Sequence, residues 1–289
     1  MEPEILRKIQ EIELYILKEF KKICEENNIS YFLVAGTLLG AIRHKGFIPW
    51  DDDIDVGMLR PDFDKFIEVC KTKLDTTKFF LQIPENEVSS ADYGIARLRL
   101  NNTHIVIESR KNINCHDGFF IELFPYDNIP DNIILAKIYG NGFAVLKRVF
   151  AIRKGYISNP RTLYAKLAVR TAQVLLKTIK TKTIEKWLKK YPYRYSKKRT
   201  KQVLPLTEGY AHENHDFKTV SELSTAMFED ELFLIPKEYD KYLTEQYGDY
   251  MKLPPIEQQK NHHIILEMDF GDCLKLSKVD NKVIINKGT

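Results

Sequence analysis

Residues 31–56 read YFLVAGTLLGAIRHKGFIPWDDDIDV. A short apolar run ends in Gly36 and Thr37. Three bases follow at Arg43, His44 and Lys45, and four aspartates then fall within five positions after Trp50. The run YFLVAG predicts a buried strand closing at Gly36, and TLLGAIRHKGF a helical turn and loop. From Asp53 to Val56 charged and apolar residues alternate, which is the period of a strand. On such a strand Asp51, Asp53 and Asp55 share one face, while Ile54 and Val56 share the other and enter the core. Carboxylates that close repel, and one would take up a proton unless a cation intervenes. A divalent metal removes the conflict. Mg²⁺ favours one or two carboxylates, with water and substrate phosphates completing its octahedron. An acid run alone is usually solvated surface. The order strand, glycine, threonine, bases, acids is far more specific. Glycine lets a backbone approach phosphate, and a helix N-terminus offers N–H donors. Bases beside a metal hold the charge of a polyphosphate as a bond breaks.

The chain has 289 residues, of which 44% are hydrophobic, enough for a proper core. Its four cysteines, Cys24, Cys70, Cys115 and Cys273, form no CxxC pair and no Cys/His cluster. Neither a structural zinc site nor a disulfide framework is expected. The N-terminus carries acids early and lacks an uninterrupted apolar stretch, so it does not read as a secretory signal. No charge-free apolar run reaches the length of about 18 residues that a membrane span needs. A cytoplasmic protein is the expectation.

Ile5, Ile9, Ile12, Ile16, Phe20 and Ile23 step by three or four and predict an amphipathic helix. A second helix starts near Pro61, with Phe63, Phe66, Ile67, Cys70 and Leu74 inward. GIARLRL, THIVIES and GFFIELFPYD predict strands, the last closed by Pro125. Together these give an α+β fold, a mixed sheet with flanking helices.

Charge divides the chain. Between Asn132 and Thr207 stand 19 Lys or Arg and one acid, Glu185, whereas the remainder carries 25 bases and 39 acids. The basic section reads as two helices, residues 135–156 and 161–191, followed by a basic linker. A further helix covers roughly 237–247, from Pro236 to Gly248. The expected organisation is a catalytic domain of residues 1–130 with 205–275, a basic helical subdomain of residues 131–204, and a tail, 276–289. Leu163, Leu167, Val174, Leu175, Ile179 and Ile184 lie among cations in the second basic helix, a pattern that suits an anionic bilayer surface. Each surface cation near anionic lipid contributes about 1 kcal/mol. No RNA-binding or helix-turn-helix signature accompanies the charge, which argues against nucleic acid as the partner.

GTLLGAIRHKGFIPWDDDIDV closely resembles the signature of the LicD family of phosphocholine transferases, with fukutin-type phosphoribitol transferases as remoter relatives. RLRLNNT, GFFIELFPYD and YGDYMKLPP with its trailing His pair follow in the family's order. The resemblance covers roughly residues 1–125 and 228–265. It implies a nucleotidyltransferase-like fold in which CDP-choline gives its outer phosphoryl group, with its alcohol, to a sugar hydroxyl, and CMP leaves. Asp53 and Asp55 match the family's metal-binding aspartates, and Mg²⁺, or Mn²⁺, is the implied cofactor. Gly36 and Thr37 match the donor-phosphate turn. Glu122 stands where relatives usually carry aspartate, as a third metal ligand or as the base for the acceptor. Asp51 competes for that last role. Arg99 matches an arginine that would hold a donor phosphate, and Arg43, His44 and Lys45 are donor-binding candidates, with Arg43 and Lys45 neutralising charge on the departing CMP. Trp50 and Phe47 are candidates to wall a choline headgroup, because a quaternary ammonium makes no hydrogen bond. His262 and His263 are candidates to meet the acceptor or a phosphate. Family acceptors are glycans on lipid carriers or glycolipids, such as teichoic acid or lipopolysaccharide, so the chain is expected at the inner face of a bacterial membrane, as a peripheral protein. A different CDP-alcohol such as CDP-ribitol is a second reading, and a decayed relative that only docks is a third. Oligomeric state is left open.

Overall fold

The computed structural model describes residues 1–86, 93–111, 113–154, 171, 179–198, 200–207, 209–210, 215–271 and 282–284. In chain order the elements are α1 (Pro3–Glu26), β1 (Phe32–Leu33), α2 (Ala35–Arg43), β2 (Asp55–Leu59), α3 (Arg60–Lys73), β3 (Phe79–Gln82), β4 (Ala96–Leu100), β5 (His104–Ile107), β6 (Phe120–Asn128) and α4 (Ile133–Lys154). The helix Thr181–Lys190 follows, then β7 (Gln202–Pro205), β8 (His215–Asp216), the short helix Phe217–Ser221, β9 (Leu223–Phe228), β10 (Glu231–Pro236), the helix Tyr239–Tyr247, β11 (Ile265–Asp269) and β12 (Lys282–Ile284). The architecture is α+β and nucleotidyltransferase-like, built on a curled mixed sheet.

The chain forms two compact units. The first comprises residues 1–82, 96–125 and 218–289, the second 83–95 and 126–217. In the first, strands run in the order β1-β2-β6-β4-β3. Antiparallel register sets Arg97 opposite Glu122 and Arg99 opposite Phe120, and places Gln82 and Phe80 beside the same arginines. Period-two alternation therefore gives this face of the sheet its polar groups, while Leu98, Ile121 and Leu123 are fully buried. The predicted stripe of α1 is the other half of the core: Ile9, Ile12, Ile16 and Phe20 are fully buried. Phe20 packs on Phe66 of α3 at 4.9 Å and on Tyr31 at 5.1 Å, and Tyr15 stacks on Phe79 at 5.6 Å.

Strand boundaries differ from the sequence reading at several places. The strand through GFFIELFPYD does not close at Pro125 but continues to Asn128. Pro125 falls outside the ladders with β4 and β7, since β4 pairs β6 only as far as Leu123 and β7 only from Tyr126. YFLVAG yields only two strand residues, since Ala35, at φ +48°, turns the chain directly into α2. Strands β3 and β7 to β12 were not read from the sequence at all.

In the second unit α4 and the helix Thr181–Lys190 enclose a core of Tyr93, Tyr139, Phe143, Phe150, Ile184, Leu188 and Leu204. Tyr139 and Tyr191 stack at 4.7 Å, and each hydroxyl donates to the other residue's carbonyl, at 2.6 and 2.8 Å. The residues Leu163, Leu167, Val174 and Leu175 of the second basic helix lie outside the described residues; Ile184 faces the core. Among the described residues no helix is long and apolar enough to cross a membrane, and Cys24, Cys70 and Cys115 are free thiols.

The α1–α3 contact predicts a large cavity penalty. Phe20→Ala should cost about 3–5 kcal/mol. Urea unfolding followed by Trp50 fluorescence in a Trp187→Phe background reads this unit alone, and a cost under about 1 kcal/mol would contradict the packing.

Candidate active site

The acid run is not a strand until its last member. Strand β2 opens at Asp55, so Asp51, Asp53 and Asp55 do not form one strand face as expected from the alternation. The reason is local hydrogen bonding. Asp51 N–H closes a turn on Ile48 O at 2.9 Å, and Gln10 Nε2 of α1 donates to Asp51 O at 2.9 Å. Asp52 turns inward and accepts two backbone N–H groups, His262 at 2.8 Å on Oδ1 and His263 at 3.1 Å on Oδ2. Asn261 Nδ2 donates to Trp50 O at 3.2 Å. The aspartate loop and the distant His pair are thereby clasped together.

That clasp sets the imidazoles over the acids. His262 Nδ1 lies 3.5 Å from Asp53 Oδ2 and 3.8 Å from Asp51 Oδ1. His263 Nδ1 lies 3.8 Å from Asp52 Oδ1 and 3.9 Å from Asp53 Oδ2. Asp51, Asp53 and His262 each offer one ligand atom, and all three atoms lie within 4.8 Å of one another. Two carboxylates and an imidazole suit a divalent cation; the oxygens favour Mg²⁺ and the imidazole also admits Mn²⁺. A buried carboxylate oxygen nearby, Glu13 Oε2, has no hydrogen-bond partner among the described residues, as expected where a charged or hydrated group belongs.

The charges respond to this crowding. Burial, then Asp53, pushes Asp51 up to about 8. Burial would also raise Asp53, but the hydrogen bond and charge of His262 outweigh it and hold Asp53 below the usual range. His262 is raised to about 9, chiefly by its hydrogen bond to Asp53. Burial first, then Asp53, Asp52, Asp51 and Asp55, lifts Glu13 well above the usual carboxyl range.

The remaining candidates divide. Gly36 and Thr37 begin α2 beside the acids. A Cβ on Gly36 would sit 2.7 Å from Asp51 Oδ2, so glycine is what lets helix and aspartate approach. Thr37 Oγ1 accepts from Asp55 N–H at 2.9 Å. Glu122 donates its backbone N–H to Ile54 O at 2.9 Å, and its carboxylate is held by Arg97 Nε at 2.8 Å and by Arg97 Nη2. Glu122 is thus beside the loop but outside the Asp51–Asp53–His262 cluster. Arg99 is 2% exposed. Its Nε donates to Gln82 and its Nη1 to Gly118 O, both at 2.6 Å, and its guanidinium lies over the Phe120 ring. Arg43 Nη1 donates to Tyr250 O at 2.7 Å and its Nε to His44 Nε2 at 2.9 Å. Arg43 therefore anchors the YGDYMK loop, with His44 as its neighbouring acceptor. Lys45 shares a cavity with Arg7, His44, Glu229 and Asp230. Phe47 is an interior side chain against Phe228 at 4.9 Å, not a headgroup wall, because β9 covers it. Trp50 is half-buried, edge-on to His44. Sequence reasoning missed Asp52, Gln10, Glu13 and Arg97. Only the alternation of Arg97 with Arg99 was a usable signal.

Both Asp51 and His262 hold protons to higher pH in the folded, cation-free protein than in an unfolded chain. Folding therefore takes up protons, and stability falls as pH rises. The Asp51 share of the fall spans 3.8 to about 8. The His262 share is fully present below 6.5 and lost as pH passes about 9. Calorimetry in EDTA should give a lower Tm at pH 9 than at pH 6.5, with excess Mg²⁺ removing most of the drop. A cation-free Tm that is flat or rises over that window contradicts the cluster.

The family model LicD/FKTN/FKRP, nucleotidyltransferase domain, matches residues 28–134. The lipopolysaccharide cholinephosphotransferase LicD of Haemophilus influenzae is 31% identical over 261 residues, which is 90% of this chain and 96% of that protein. The ribitol 5-phosphate transferase FKRP of Homo sapiens is 38% identical over 60 residues, 21% of this chain and 11% of that protein. An uncharacterized protein of Rickettsia typhi is 43% identical over 54 residues, 19% of this chain and 18% of that one. With nearly the whole Haemophilus influenzae protein matched at this identity, the chain belongs to the LicD family and is a transferase of the LicD type.

Proposed function

We propose that the chain moves phosphocholine from CDP-choline to a sugar hydroxyl of a lipid-linked or cell-envelope glycan, of lipopolysaccharide or teichoic acid type, and releases CMP. The observation that carries the proposal is the similarity to the Haemophilus influenzae lipopolysaccharide cholinephosphotransferase along 90% of the chain. The cluster of Asp51, Asp53 and His262 supports it chemically.

The acceptor oxygen forms its bond to the phosphorus that carries choline as the bond from that phosphorus to the CMP oxygen breaks. The acceptor proton passes to a carboxylate. Asp51 and Glu122 are the two candidates for that task, Glu122 being ion-paired with Arg97 and Asp51 lying in the cluster with Asp53 and His262. Asp53 and His262, with Asp51, would hold Mg²⁺ or Mn²⁺, and Asp55 and Glu122 are the further carboxylates that family position suggests. The cation would supply charge neutralisation at the transferring and leaving phosphates. Gly36 and Thr37 at the N-terminus of α2 present backbone N–H groups to the donor phosphates. Trp50 remains the candidate for the choline headgroup.

A membrane-presented acceptor fits the second unit by itself. Trp187 and Tyr193 are 49% and 47% exposed and lie with Lys190 and Arg194 around one apolar depression. Ile133, Ile134, Leu135 and Ile138 of α4 are exposed as well. Aromatic and aliphatic groups among cations suit reversible docking on the anionic inner face of a bacterial membrane. A second donor, CDP-ribitol, is favoured by one observation, the 60-residue similarity to FKRP.

Incubation with CDP-choline, Mg²⁺ and a glycolipid acceptor in anionic vesicles should release CMP. Asp53→Asn should lower the rate by about 100-fold or more, and neutral vesicles should slow turnover. Equal CMP release by wild type and Asp53→Asn would overturn the reading, and faster turnover of CDP-ribitol would replace the donor.

A further inference from the structure

Strand β5 ends in a single turn, Glu108–Arg110, and the chain then returns to β6 around a cavity of about 210 Å³. Backbone bonds close it. Ile113 N–H donates to Arg110 O at 2.8 Å, and Ile105 N–H to Asp117 O at 2.7 Å. Gly118 completes the closure: its carbonyl accepts from Arg99 Nη1 at 2.6 Å, and its N–H donates to His116 Nδ1 at 3.1 Å. A Cβ on Gly118 would run into Leu100 O and the His116 ring, so glycine lets the loop lie against β4.

Positive charge dominates the lining. Among the described residues it carries Arg99, Arg110 and Lys111 against one acid, Asp117, and Asp117 is engaged by His104 Nδ1 at 2.6 Å. His116 adds no charge. Its Nδ1 is an acceptor, so the ring is the neutral tautomer that donates from Nε2 to Asn101 Oδ1 at 3.0 Å. Arg99 is fixed by Gln82 Oε1 and Gly118 O and lies 4.5 Å from the Phe120 ring. Arg110 Nη2 lies 3.5 Å from the lining thiol of Cys115, which brings a second guanidinium to the same space. Guanidiniums held in place beside an ammonium are the donor set that recognises phosphate. The volume selects a small ligand. Water in the liquid occupies about 30 Å³, so the cavity holds a phosphate and the atoms next to it, not a polymer backbone. Arg99 and Phe120 pair across β4 and β6 as Arg97 and Glu122 do. The two pairs are one step of about 7 Å apart along the strands, so the cavity neighbours the aspartate loop.

We infer that this cavity is a second phosphate site, in which Arg110 and Lys111 bind the phosphate of a small ester and Arg99 supplies charge from the sheet. The ester is either the nucleotide of the donor or a phosphodiester of the acceptor, and for that identity the inference rests on the function proposed above. The site is separate from the cluster of Asp51, Asp53 and His262 and needs no divalent cation.

The test is calorimetric titration of the full-length protein in EDTA with inorganic phosphate, CMP and glycerol 3-phosphate. Wild type should bind phosphate, and one of the two esters more tightly. Arg110→Gln and Lys111→Gln should each weaken that binding about 10-fold, and the double variant about 100-fold. Tighter CMP assigns the site to the donor, tighter glycerol 3-phosphate to the acceptor. Binding that is absent in wild type for all three probes, or equal in wild type and variants, overturns the inference. If Arg110→Gln does not fold, Lys111→Gln, at the exposed rim, decides by the same criterion. CMP release from CDP-choline is measured in parallel. Release by a protein whose phosphate binding ignores both substitutions leaves the function standing and overturns the phosphate site. Phosphate binding that both substitutions weaken, without CMP release, supports the site and overturns the function.

Discussion

The site depends on one charge-assisted contact, the carboxylate of Asp52 accepting the backbone N–H groups of His262 and His263. The residues it joins are 210 and 211 positions apart. By using its own charge on those donors, Asp52 ties the aspartate loop to the segment before β11. The two flanking aspartates, 51 and 53, are then left facing the imidazoles. Burial first, and then the neighbouring carboxylates, push Asp51 and Glu13 upward, while the hydrogen bond and charge of His262 hold Asp53 down. On the proposed reading a divalent cation would answer the remaining repulsion, and crowded like charge at the end of a strand would be a binding device.

Much of this was visible in the residues themselves. Ile9, Ile12, Ile16 and Phe20 announced α1 by spacing alone, and the alternation in ARLRL and FFIELF announced the central strands, because burial of one face imposes those periods. The glycine at position 36 was legible as a close-approach site, although its neighbour turned out to be Asp51. What periodicity cannot reveal is which polar side chain folds back onto a remote backbone. Asp52 was left off the face that Asp51, Asp53 and Asp55 were expected to share, yet it is the clasp. Arg43 and His44 looked like phosphate ligands and instead bind each other and the loop at Tyr250. Arg99 drew attention by motif, while Arg97, two residues earlier on the same face, is the partner of Glu122. The alternation that suggested a strand through Asp53 failed because turn and clasp hydrogen bonds outcompete pairing until Asp55.

The chain also separates its chemistry from its positive charge. The acids and the His pair belong wholly to the first unit. The second unit holds an aromatic core of Tyr93, Tyr139, Phe143 and Phe150 and carries its cations and several large apolar side chains outward. On the proposed function, a hydrophilic nucleotide donor and an amphiphilic acceptor would place opposite demands on a surface, and two units of opposite charge could meet both.

The central claim, that the aspartates after Trp50 converge with His262 on one divalent cation, is tested most directly by anomalous diffraction from crystals soaked with Mn²⁺ and CDP-choline. The account predicts a manganese peak between Asp51, Asp53 and His262, with the donor's diphosphate against it. Asp53 and His262 standing apart in solvent, or manganese bound elsewhere with this cluster lacking it, would contradict the account.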